Sequence, residues 1–352
     1  MFNFIRNLRE FKPLIFKGYE IYFDLGTAST KIAIKDKGII LREPTYLGYN
    51  SKLKEYIFFG TEAKSILGKT PDFIKIVRPI GNGVISDFDA QVSLLKKFLE
   101  QSVYIYLNNQ LIKPSLYGVA ITPSIATEIE QKAVQEALLK TGLSHVDLIE
   151  KPLATAAGCN LNVFSHQPNL IVDLGGGLIE IFIISSGGIV SQKTLKNAGD
   201  YMNKLIYNYV YLKYGLILGE ATCESLKINL LNFANIENTT TIRGKSLESG
   251  LPKSVRIKSS DIKEALLTSF NQITDGVKEL IETSPPEILD ELLNRGIMLT
   301  GGLANIKGID SFFAGEIKID SYCVQNVQDA TINGIIKLSQ DYKNLRKLTI
   351  DI

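Results

Sequence analysis

The chain has few of the side chains on which histidine, thiol or nucleic-acid chemistry is built. Its two histidines, His145 and His166, stand without companions, which excludes histidine-centred catalysis and His-rich metal sites. Cys159, Cys223 and Cys323 are odd in number and scattered, with no CxxC pair. Neither a disulfide framework nor a zinc site is expected, as suits a reducing cytoplasm. Neither sign of charge is in excess: 39 Lys and Arg stand against 37 Asp and Glu, so electrostatics make no case for nucleic acid. Long hydrophobic runs are missing too. The most apolar window, 169–190, is broken by Asp173, Glu180 and glycines, and reads as hairpin strands rather than a membrane span. What the chain does have is size, 352 residues at 45% hydrophobic content, enough for two domains with sizeable cores.

The strongest signal is a pair of acidic, glycine-rich turns. Asp24-Leu25-Gly26-Thr27-Ala28-Ser29-Thr30-Lys31 is the first, and Asp173-Leu174-Gly175-Gly176-Gly177-Leu178-Ile179-Glu180 the second. Each lies between two short apolar runs, the pattern of strand, tight turn, strand. Glycine lets such a turn expose backbone N–H groups to an anion. One such turn alone is more often an ordinary hairpin. Two, similarly placed in the two halves, suggest duplication of one α/β unit. A third glycine turn, Gly296 to Leu303, reads as a buried strand entering a helix start.

Strands then helices, stated twice, predict an α/β protein of two lobes with a cleft between them. Residues 1–17 form an N-terminal amphipathic segment. Phe2, Phe4 and Ile5 share its apolar side with Leu8 and Phe11, while Arg6, Arg9 and Lys12 fall elsewhere. Such a segment lies in a membrane interface, packs on the body or simply frays. The first lobe is expected over 18–155 with a small subdomain around 43–87. The second spans 156–335 with one around 220–260, and a tail, 336–352, packs back on the first lobe.

With these motifs in place, the chain resembles the actin–chaperone–sugar-kinase ATPase superfamily, and within it the MreB family of bacterial actins. Arg42-Glu43-Pro44-Thr45 is similar to the family's NEPS turn, Leu67 to Pro71 to LGRTP, and Arg78 to Phe88 to RPMKDGVIADF. Glu128 to Val134 resembles DVERRAI, Ile149 to Ala154 resembles IEEPMA, and Ala198-Gly199-Asp200 and Gly219 to Thr222 match AGD and GEAT. The resemblance implies a two-lobed actin-like ATPase fold. It also implies nucleotide-dependent polymerisation into double, antiparallel filaments on the inner face of the cytoplasmic membrane, organising cell shape and cell-wall synthesis with membrane proteins of that machinery. The cofactors implied are ATP or GTP with Mg²⁺.

Carried over residue by residue, the resemblance makes Asp24 and Asp173 the anchors of a hydrated Mg²⁺. It makes Gly26, Thr27, Ala28, Ser29, Gly175, Gly176 and Gly177 the phosphate donors. Glu130 orients the attacking water, Glu224 and Lys227 sit near ribose and base, and Gly301 and Gly302 floor the adenosine pocket. Read locally, Glu130 is an exposed helix carboxylate, and Glu224 with Lys227 a solvated pair. Leu111 and Ile112 occupy the place of a short membrane loop.

Five positions depart from the family pattern. Leu178 and Ile179 replace two threonines, Leu303 replaces a glycine and narrows the adenosine site, Lys151 replaces a glutamate, and Lys31 replaces an apolar residue. A lost hydrogen bond to a charged group is worth about 1.5–3 kcal/mol, so hydrolysis is expected to be slow. The alternative is an actin-like scaffold with little or no hydrolysis, acting in cell division or intracellular positioning. A small-molecule kinase lacks a dedicated base here, and a chaperone lacks room for a peptide-binding domain.

Overall fold

The computed structural model describes residues 18–107 and 114–350. Phe2, Phe4, Ile5, Leu111 and Ile112 therefore lie outside the described residues.

Two five-stranded sheets carry the molecule, and they are built alike. In the first the spatial order is His145–Glu150, Leu116–Thr122, Tyr19–Leu25, Ser29–Ile34, Gly38–Pro44. In the second it is Ser321–Cys323, Ile297–Thr300, Asn169–Leu174, Ile179–Ser185, Gly188–Leu195. Each pairs an antiparallel meander with two parallel strands. Tyr19–Leu25 runs parallel to Leu116–Thr122, as Asn169–Leu174 does to Ile297–Thr300. Parallel neighbours need long crossovers, and these hold the helices that cover the sheets.

Strand periodicity sorts side chains into separate cores. Successive residues face opposite sides of a sheet. Ile21, Phe23, Ile32 and Ile34 therefore enter the first lobe's core, while Tyr22 and Ala33 turn the other way. Val172, Leu174, Ile181 and Ile183 enter the second lobe's core, while Ile171 and Phe182 turn the other way. Those inward faces meet in a third core between the sheets. The strand Asn169–Leu174 is buried at every residue, and its stretch Leu170 to Val172 reads as continuously apolar for this reason.

The third core is closed by two short helices, Lys151–Gly158 and Ala330–Leu338. Each has an alanine four residues before a glycine, Ala154 with Gly158 and Ala330 with Gly334. A Cβ on Gly158 would overlap the Ala330 carbonyl oxygen, and one on Gly334 the Ala154 carbonyl oxygen. Only glycine permits the helices to cross so closely. The helix Ala330–Leu338 continues past residue 335, so the expected boundary there falls inside a helix. Thr349 bridges to Ile149, and the Ile350 amide donates to the Leu148 carbonyl at 2.9 Å, laying the C-terminal segment on the first sheet.

Two smaller sheets sit on the lobes. Leu47–Asn50, Glu55–Phe59 and Ile74–Val77 form one, and Leu216–Ile217, Thr239–Ser246 and Pro252–Lys258 the other. Among the described residues no helix is long and apolar enough to cross a membrane.

Candidate functional site

The two glycine turns close by the same backbone bond. The Gly26 amide donates to the Ser29 carbonyl, and the Gly175 amide to the Leu178 carbonyl, both at 3.1 Å. In the first hairpin Asp24 stands opposite Lys31; in the second Asp173 stands opposite Glu180. The turns then meet tip to tip. A Cβ on Gly176 would lie 2.8 Å from the Ala28 Cβ, and one on Gly177 would overlap Thr27 Oγ1. Gly176 and Gly177 are required by this approach.

Each turn has its carbonyls tied from behind. Thr45 donates through Oγ1 to the Gly26 carbonyl at 2.7 Å and through its amide to the Ala28 carbonyl at 3.2 Å. In the second turn the Gly199 amide donates to the Gly175 carbonyl at 3.2 Å and the Asp200 amide to the Gly176 carbonyl at 2.8 Å. The amides of Thr27, Ala28, Gly176 and Gly177 have no protein acceptor among the described residues. Oriented amides of this kind make an anion-binding concavity. They line a cleft of about 440 Å³ with Asp24, Asp173, Ser29 and Glu224.

The far wall is the third glycine turn. Gly301 has φ 87°, and a Cβ there would lie 2.6 Å from Asp173 Oδ1. Gly301 and Gly302 line the cleft. Leu303 does not narrow it: the side chain is buried in the second lobe's core. The turn leads into a 3₁₀ segment, Gly302–Asn305, rather than an α-helix start. Glu224 pairs with Lys64 at 2.9 Å, and Arg78 bridges to Asp200 and Glu220, so the first lobe's small subdomain reaches the second lobe across the cleft mouth. Lys227 is buried and donates to the Gly199 carbonyl at 2.6 Å, beneath the second turn. Burial pushes its pKa down to about 8, against the pull of Glu224 and Asp200.

Glu130 lies outside the cleft lining. It is the third residue of the helix Glu128–Leu139, and its Oε2 accepts from the Thr127 amide at 2.8 Å and the Thr127 hydroxyl at 2.9 Å. This is a capping box, legible as Thr-x-x-Glu. Leu178, where a threonine was the family pattern, is nearly buried at the cleft wall with its side chain beside Gly83. The Gly83 amide donates to Thr27 Oγ1 at 2.9 Å, taking up the first turn's hydroxyl as an acceptor.

The two departures toward lysine converge on the cleft floor. Lys31 Nζ sits 3.1 Å from Asp24 Oδ2 and also donates to the Gln328 carbonyl. Lys151, from the first lobe, pairs with Asp173 and, at 2.7 Å, with Glu180, both from the second. Burial would pull the Lys151 pKa down, but Asp173 and Glu180 outweigh it and hold the ammonium charged. Mg²⁺ is a hard cation that binds through oxygens and keeps several waters. Here the carboxylates that would anchor it already hold ammonium groups. A divalent cation ~5 Å from one ammonium is repelled by roughly 7 kcal/mol at an effective dielectric constant of 20. The residues present do not fit a Mg²⁺ held by Asp24 and Asp173, and among the described residues no cluster of three or more His, Cys, Asp or Glu could hold a metal.

Comparison with known proteins agrees with this architecture. The family described as MreB/Mbl protein matches residues 18–347. The cell shape-determining protein Mbl of Bacillus subtilis (strain 168) is 34% identical over 334 residues, covering 94% of this chain and 99% of Mbl. The crystal structure of MreB5 of Spiroplasma citri bound to ADP superposes with a TM-score of 0.88 at 31% identity, covering 94% of this chain and 99% of that one. MreB5 bound to AMPPNP gives 0.87 at 30%, covering 94% and 98%. The chain has the two-lobed actin-like fold and belongs to the MreB/Mbl family.

Proposed function

We propose that this chain binds ATP between its two glycine turns and polymerises into filaments that organise cell shape and wall synthesis. The observation that carries the reading is the set of four amides, Thr27, Ala28, Gly176 and Gly177, without an acceptor among the described residues and contributed by both lobes around one cleft. A polyphosphate accepting from both turns draws the lobes into one relative angle. Head-to-tail contacts that do not close into a ring then extend a filament whose stability follows the bound nucleotide. MreB5 with ADP and with AMPPNP supports a purine nucleotide as the ligand. GTP is the competing nucleotide, and a double, antiparallel filament is the assembly carried over from the family.

The filament is peripheral at the inner face of the cell membrane. Phe2, Phe4 and Ile5 with Leu111 and Ile112 supply weak contacts that gain from the many copies in a polymer. Its partners are membrane proteins of wall synthesis. Electron microscopy and sedimentation of the full chain with ATP, with and without anionic liposomes, test this. Filaments that pellet with liposomes are expected, with binding lost on Leu111→Glu and Ile112→Glu. Absence of any nucleotide-dependent polymer sinks the assembly reading.

A second reading, a scaffold with little or no hydrolysis, is favoured by two observations. Leu178 fills with hydrocarbon the place where a hydroxyl would face the phosphates, and the Glu130 carboxylate is taken by its own helix cap. In the hydrolytic reading Glu130 leaves the cap and orients water. Glu130→Gln keeps an N3 partner for Thr127 while removing the charge. Slower phosphate release at unchanged ATP affinity supports the water-orienting role; assembly without phosphate release in the unsubstituted chain favours the scaffold.

A further inference from the structure

We propose that this chain takes its nucleoside polyphosphate without a divalent cation, with Lys31 and Lys151 supplying the positive charge that a metal would bring. The inference rests on the nucleotide reading of the same cleft. It starts from the disagreement between an aspartate-anchored Mg²⁺ and the side chains present.

Both lysines line the cleft, one from each side of the floor, and each is held by a carboxylate on a glycine hairpin. Lys31 has a side-chain exposure of 12% and Lys151 of 19%, so each ammonium is fixed by its partners yet open to the cavity. An ammonium has three N–H donors. Lys31 spends two on Asp24 and the Gln328 carbonyl; Lys151 is ion-paired with Asp173 and Glu180. At least one donor remains on each, beside turn amides that have no protein acceptor among the described residues. Phosphate oxygens meeting those amides would complete the valence of both lysines and neutralise part of the ligand's charge. A metal in the same place would face two ammonium groups rather than two free carboxylates.

The sequence supports the two positions acting together. Lys31 stands directly across the first hairpin from Asp24, so its charge is presented wherever that aspartate is. The second hairpin has Glu180 at the matching place, which cannot supply a cation, and Lys151 arrives there from the opposite lobe. The single carboxylate of the first hairpin and the pair on the second therefore each have an ammonium, from different parts of the chain.

The test is isothermal titration calorimetry of the full chain with ATP in excess EDTA and in excess MgCl₂. The expected result is an affinity in EDTA within about threefold of that in MgCl₂. An affinity at least about thirtyfold weaker in EDTA overturns the inference while leaving the nucleotide site standing. No heat of binding in either buffer overturns both. Lys31→Leu removes one ammonium without stranding Glu180 or Asp173. It should weaken binding in EDTA by about tenfold and recover in MgCl₂, the pattern of one charge-assisted hydrogen bond replaced by a metal. Equal affinity of Lys31→Leu and the unsubstituted chain in EDTA overturns the role of Lys31. In the double variant Lys31→Leu, Lys151→Glu, ATP binding that requires MgCl₂ is expected; binding that stays independent of MgCl₂ counts against the two lysines as its source.

Discussion

Across the first glycine turn an aspartate faces a lysine; across the second an aspartate faces a glutamate. The backbone is the same in both, down to the 3.1 Å bond that closes each turn. The charge is not. The first hairpin neutralises its own aspartate, whereas the second carries two nearly buried carboxylates and borrows Lys151 from the other lobe. The shared backbone geometry presents amides to an anion at both turns, while the cations come from different parts of the chain. The tie that results joins the lobes at the cleft floor, in addition to the bridges at its mouth from Lys64 and Arg78.

Unequal substitution costs would establish that difference. Lys151→Met leaves Asp173 and Glu180, with side-chain exposures of 4% and 2%, without their cation. Removing one partner of a buried ion pair typically costs 3–5 kcal/mol, and about 4 kcal/mol is expected here. Lys31→Met strands only Asp24, with a side-chain exposure of 12%, and should cost about half as much, roughly 2 kcal/mol. Chemical denaturation of both variants without nucleotide measures the two. Equal losses would erase the contrast between self-neutralised and borrowed charge.

The two halves are predicted to be alike at their joint. Gly158→Ala and Gly334→Ala each drive a methyl into a backbone carbonyl of the facing helix. Backbone cannot rotate away as a side chain can, so each should cost at least about 3 kcal/mol, the upper part of the overpacking range. Similar falls in melting temperature are expected. A large loss at one glycine with none at the other would mean that the crossing is not symmetric in energy.

Much of this was legible from residues alone, and the remainder was hidden for physical reasons. The hairpins, the paired turns and the family were readable because glycine turns and strand periodicity are local. Lys31 opposite Asp24 can be found by counting across a tight turn. Lys151 beside Asp173 cannot, since it opens a helix that follows a strand of the other sheet and only the tertiary fold brings the two together. Leu178 and Leu303 were visible as departures, but their destinations were not. One lies beside Gly83 and the other enters a core, both set by neighbours distant in sequence. Glu130 is the opposite case. Its Thr127 cap is written in four consecutive residues, while the family resemblance points toward water.

The halves differ again in what lies beneath each turn. Behind the second is a buried ammonium, Lys227, with its pKa lowered from 10.5 to about 8. Between pH 8 and 10.5 the unfolded chain holds this proton and the folded chain has released it, so stability rises with pH across that window. Below pH 8 both states are protonated and the full burial cost is felt. From pH 7.5 to 9.5 the unsubstituted chain should gain about 2 kcal/mol relative to Lys227→Met, at about 1.36 kcal/mol per pKa unit. Denaturant midpoints of both proteins at the two pH values give the difference. A pH-independent gap would mean that Lys227 stays charged beneath the turn.

Behind the first turn the counterpart is neutral. Thr45 Oγ1 donates to the Gly26 carbonyl at 2.7 Å and lies 3.0 Å from Thr30 Oγ1, with both threonines fully buried. Thr45→Val keeps the shape and removes the hydroxyl, leaving a turn carbonyl and the Thr30 hydroxyl short of a partner. A neutral hydrogen bond contributes about 0.5–1.5 kcal/mol net, so the loss should be about 1 kcal/mol. The second turn has no such weak point, because its carbonyls accept from the backbone amides of Gly199 and Asp200, which a side-chain change leaves in place. Asp200→Ala removes the carboxylate facing Arg78 but keeps the amide on the Gly176 carbonyl. Hydrogen exchange of the Gly26 amide, which closes the first turn, should therefore quicken in Thr45→Val, while that of the Gly175 amide stays slow in Asp200→Ala. Faster exchange at both turns in either variant would mean that the tip-to-tip contact, not the tether behind each turn, holds the amides in line.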